Sequence, residues 1–144
     1  MRRTYWTVAA LAMTATSTVA LAITTAATWT GKLAGKDNEK IMGEATMKPS
    51  ADGAGTEVSV MLMGDAASAS RPWHVHVGSC ASGGGVFGGG KSYTPITSDA
   101  SGHGMSKATL AVATPDTGSY FVNVHESAAN MGKIVACGDL TKGM

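Results

Sequence analysis

Residues Arg71 to Cys80 read RPWHVHVGSC, and the fold turns on the five from Trp73 to Val77. Successive side chains of an extended chain point to opposite faces. WHVHV therefore reads as a strand with His74 and His76 on one face. Val75 and Val77 take the other face, toward a core. Two imidazoles on one strand face suit a metal such as copper or zinc. The alternative is a pair of surface histidines.

The chain repeats this pattern on both sides. GEATMKPS is followed by the turn signal ADGAG and then by TEVSVMLM. SDASG is a turn before GMSKATLAV, and SYFVNVH and KIVAC complete the set. No sustained helical period competes with these runs. Six to eight short strands, separated by Gly, Asp, Ser and Pro clusters, predict an all-β sandwich or barrel. The expected domain runs from 44 to 144. Residues 23–43 are weakly patterned and read as an N-terminal linker.

The N-terminus differs from the rest. Arg2 and Arg3 precede an uncharged stretch from Thr4 to Gly31, and VALA (Val19 to Ala22) supplies small residues where a signal peptidase cuts. A basic start, an apolar middle and an A-x-A-like end predict a secretory signal over residues 1–22. An uncleaved membrane anchor is the alternative, but nine threonines in the run make it a poor bilayer segment. Removing 1–22 takes Arg2 and Arg3 away, so the formal charge moves from +1 to −1. A near-neutral surface argues against nucleic acid or an anionic membrane as partner. The expected location is secreted or periplasmic. Two cysteines in an exported chain predict one disulfide, Cys80–Cys137, with two free thiols as the alternative.

A third histidine follows in YFVNVHES. Val122 and Val124 take core positions there, which puts Phe121, Asn123 and His125 on the opposite face. If this strand lies near WHVHV, three imidazoles converge outside the barrel wall. His103, between two glycines in SDASGHGMS, reads as a solvated turn residue; the alternative is a fourth ligand. Met61, Met63, Met105 and Met131 read as core or gap-filling residues, with thioether ligation as the alternative. Trp73 either shields a metal or packs at the rim. Gly85 to Ser92 matches the P-loop expression G-x-x-x-x-G-K-[ST]. That motif needs a helix after it, and the YTPIT that follows cannot start one. The stretch reads as a flexible Gly-rich loop.

WHVHVGSC, NVHES and VACGDL, in this order, resemble the Cu/Zn superoxide dismutase family, and DASGHGMSKATL resembles the segment before that family's last histidine strand. The resemblance covers about Glu44 to Leu140, and the chain also looks like the shorter bacterial relatives of that family that lack the zinc loop. It implies a Greek-key β-barrel, copper ligands at His74, His76 and His125, and the Cys80–Cys137 disulfide. The departures are specific. The family's bridging histidine and zinc ligands lie in a long loop, replaced here by Ala81 to Lys91 without His or Asp. A zinc site is therefore not expected. The family's guiding arginine, three residues before the last cysteine, is Ile134 here, and only 11 residues separate His125 from Cys137.

The resulting expectation is an exported copper-binding protein with a three-histidine site. One alternative is an active copper-only superoxide dismutase, with superoxide as its second partner. The other is a non-catalytic structural or interaction module, since a fold does not fix a function.

Overall fold

The computed structural model describes residues 27–143. The expected signal segment, 1–22, lies outside the described residues. Nine strands run β1 Trp29–Gly35, β2 Met42–Pro49, β3 Thr56–Met63, β4 Ser70–Arg71, β5 Trp73–Val77, β6 Ile96–Thr97, β7 Gly104–Leu110, β8 Tyr120–Ser127 and β9 Asn130–Lys142. A single 3-10 turn, Gly90–Ser92, interrupts them. Among the described residues no helix is long and apolar enough to cross a membrane.

The protein is all-β. Seven strands form one curled antiparallel sheet in the order β5-β8-β9-β1-β2-β3-β7, a half-barrel, and β4 and β6 pair separately. Two connections, β3 to β5 and β7 to β8, cross from one side of the sheet to the other, as in Greek-key folds. Alternation decides which face is buried. Val58, Val60 and Leu62 of β3 point inward, while Glu57, Ser59 and Met61 point out. Trp73 and Val75 of β5 meet Val122 and Val124 of β8 in the same core. Trp73 is a core residue: its indole N–H donates to the Thr94 carbonyl at 2.8 Å, and its ring meets Tyr93 edge-on.

Two expectations are corrected here. The stretch 23–43 contains β1, which lies between β9 and β2 and pairs with both, so the folded unit begins well before residue 44. Its inward positions are Trp29, Gly31, Leu33 and Gly35. Gly31 passes so close to the Asp139 carbonyl that a Cβ would collide, and the missing side chain hides the strand period. Val77, expected in the core, is 50% exposed. The chain leaves the barrel at that point, turning at Gly78 with φ of +116°, a conformation that favours glycine.

Candidate metal centre

The site is built on the outer face of β5 and β8, near one edge of the sheet. In the register His74 lies opposite Asn123 and His76 opposite Phe121. His125 comes from a position where the β8–β9 ladder is irregular, with register shifts on both sides of it. On its other side the backbone N–H donates to the Pro72 carbonyl at 2.8 Å, one step beyond the Trp73–Val124 pair of β5 and β8. Such bulges re-aim a side chain, and here the imidazole meets the two from β5. One ligand nitrogen from each of His74, His76 and His125 lies within 4.8 Å of the others. The predicted convergence of these three residues is observed.

Hydrogen bonds select which nitrogens face one another. His76 Nδ1 donates to the Gly84 carbonyl at 2.9 Å, and His125 Nδ1 donates to the Met131 carbonyl at 2.6 Å. In the neutral form of each ring this leaves Nε2 without a proton and free to ligate. His74 Nδ1 is 3.3 Å from His125 Nε2 and donates to it when no metal is bound. His76 Nε2 is buried and has no hydrogen-bond partner. An orphaned buried acceptor is costly, and a metal ion at the centre of the three nitrogens would satisfy it. The donor set fits a metal.

Electrostatics agree with this arrangement. Burial holds the His74 pKa down to about 4, with the neighbouring His125 and His76 acting in the same direction. His125 is lowered by burial too, against the raising effect of its bond to Met131. Neutral imidazoles are the form that ligates.

The Gly-rich segment closes over these histidines and is not a free loop. Val77 N–H donates to the Gly85 carbonyl and Phe87 N–H to the Val75 carbonyl, so the segment returns along β5. Phe121 stacks on His76 at 5.0 Å, and Tyr93 meets His74 edge-on at 5.2 Å. A Cβ on Gly90 would touch His74 Nε2 at 3.5 Å. The P-loop reading fails as expected, since only the three-residue 3-10 turn follows the glycines. The carbonyls of Gly84 and Met131 could not be found from sequence, because any residue carries a carbonyl.

Cys80 and Cys137 form the disulfide, 57 residues apart. It ties the chain just after β5 to β9, and the Cys80 N–H donates to Asp139 Oδ1 at 2.7 Å. His103 is exposed in its turn and does not join the three histidines. Ile134 stands opposite His125 in the ladder. The neighbouring Lys133 is engaged by Glu126 at 2.6 Å and Glu39 at 3.8 Å.

No family model matches the chain, and no curated protein matches it either.

Proposed function

We propose that this chain is an exported copper-binding protein of superoxide dismutase-like fold, with His74, His76 and His125 as the ligands. The carrying observation is the buried, unpartnered His76 Nε2 within a group of three histidines that each bring a ligand atom within 4.8 Å of the others. Three imidazoles with no carboxylate or thiolate suit copper, which heads the divalent affinity order for nitrogen sites and, as Cu(I), accepts low coordination. Bound copper would supply one-electron chemistry. The protein's part is to hold His76 through Gly84 and Phe121, His125 through the Met131 carbonyl and His74 against Tyr93, and to keep His74 and His125 neutral. The disulfide supports export, because such bonds persist in oxidising compartments.

Binding is favoured over fast superoxide dismutation. A small anion is drawn in by free positive charge near the site. Here Ile134 offers none, and Lys133 is tied to two glutamates. The test is elemental analysis of purified protein after dialysis against equal copper and zinc. One copper and no zinc per chain is expected, lost in the His74→Ala/His76→Ala/His125→Ala variant. No bound metal, or unchanged copper in that variant, would overturn the site. A superoxide assay on the copper-loaded protein tests the enzymatic alternative, and slow turnover is expected.

A further inference from the structure

The outward positions of β2, β3 and β7 are mostly polar, as solvent-facing sheet positions should be: Glu44, Thr46, Lys48, Glu57, Ser59, Lys107 and Thr109. At one end they are not. Met42, Met61 and Met105 are 58%, 37% and 62% exposed. The register sets Met61 directly opposite Met105, and Met42 opposite Met63. Core packing cannot account for methionines that face water.

The pairing also brings a histidine to this face. His103 precedes β7 and shares the parity of Met105, so the ladder continued by one step carries it toward Met63. Met61, His103 and Met105, with Asp99 and Gly104, line one shallow, open depression of about 240 Å³. Asp99 Oδ1 accepts the backbone N–H groups of Ser101 and His103 at 2.8 and 3.0 Å, and the Asp99 N–H donates to the His103 carbonyl at 2.7 Å. The turn that presents the imidazole is thus held in place, with a carboxylate beside it at the surface.

We propose that Met61, Met105 and His103 form a second metal site, for a soft monovalent cation such as Cu(I) or Ag(I). Directly opposed strand residues have Cβ atoms about 4.5–5.5 Å apart, and the flexible methionine chain lets two thioethers meet. Neutral thioethers with an imidazole select soft ions over zinc, calcium or magnesium. This site shares no residue with the three-histidine centre. It does not depend on the copper reading of that centre.

Silver is redox-inert and diamagnetic, so it is the probe. Ag(I) is titrated into the full chain carrying ¹³C-labelled methionine methyls, in the natural protein and in a His74→Ala/His125→Ala variant. The Met61 and Met105 methyl resonances are expected to shift together in both proteins and to saturate at one ion in the histidine variant. Met61→Leu/Met105→Leu keeps side-chain volume and should bind one Ag(I) fewer than the natural protein. His103→Ala should weaken binding at this site at least ~10-fold, the scale for losing a supporting group at a metal site. Methyl resonances that do not move, or a leucine variant with unchanged stoichiometry, would overturn the proposal. Loss of the methyl shifts only in the histidine variant would overturn the site's independence.

Discussion

His74 Nδ1 lies 3.3 Å from His125 Nε2, although the two residues are 51 positions apart. Each ring comes from a different strand, and each is oriented by groups outside the pair. In the metal-free protein one proton sits between them. Metal binding requires that proton to leave the shared axis, so the metal-free hydrogen bond holds the site close to its ligating geometry.

Acid should destabilise the metal-free protein over a defined window. The pKa of His74 is about 4 against an ordinary 6.5, burial being the main cause. Between these values the unfolded chain holds more protons than the folded one, so stability falls as pH is lowered from 6.5 toward 4 and levels off below. His125 shifts in the same direction. The melting temperature of metal-free protein, followed across this range, should drop, and less steeply in His74→Asn. A flat profile in the natural protein would contradict neutral, buried imidazoles.

Gly84→Ala should weaken metal binding at the histidine centre. An added Cβ would strike the Val77 carbonyl, so the loop must shift and His76 Nδ1 loses its acceptor. Loss of such an orienting partner typically costs about 10–100-fold in affinity. Gly85→Ala is the control, because nothing lies within 4 Å of its Cβ. Competition with a chromophoric chelator should separate the two variants; equal affinities would show that the Gly84 carbonyl does not orient His76.

Replacing both cysteines by serine should lower stability by ~4 kcal/mol, the chain-entropy value for a loop this long. Urea unfolding with and without reductant measures it. Metal affinity should fall as well, since the bond anchors the chain three residues after β5. A reduced protein as stable as the oxidised one would remove that anchoring role.

Asp65→Ala should be among the most damaging substitutions away from the histidines. Asp65 accepts from Arg71 Nη2 at 2.6 Å, from Ser98 at 2.9 Å and from the Ala66 N–H at 2.7 Å, with its side chain only 1% exposed. Burial opposes its ionisation, but these donors hold its pKa below the ordinary carboxylate value. Arg71 in turn donates to the Glu126 carbonyl, next to His125. Removing one partner of a buried pair costs about 3–5 kcal/mol, whereas replacing both by apolar groups costs less. Thermal unfolding of Asp65→Ala beside Asp65→Leu/Arg71→Met should show that order.

The strands around the site were legible because alternation is unbroken in TEVSVMLM, WHVHV and YFVNVH. β1 was not, since Gly31 and Gly35 occupy two of its inward positions and leave no apolar signal. Val77 continued the alternation on paper, but the chain turns away at Gly78 before that side chain can enter the core.

By itself the sequence determined that His74 and His76 share a strand face, that His125 lies opposite the core positions Val122 and Val124, and that two cysteines are available to pair. These follow from the two-residue period of an extended backbone, a local property of the chain. Tertiary structure alone decided that β5 and β8 are neighbours, that His125 sits where the β8–β9 ladder is irregular, and which nitrogen of His76 and of His125 is engaged by a carbonyl and which is left free. Strand adjacency is settled by long-range burial of the core, and the free ring nitrogen by backbone carbonyls that fold back from Gly84 and Met131. Neither leaves a mark on the residues between.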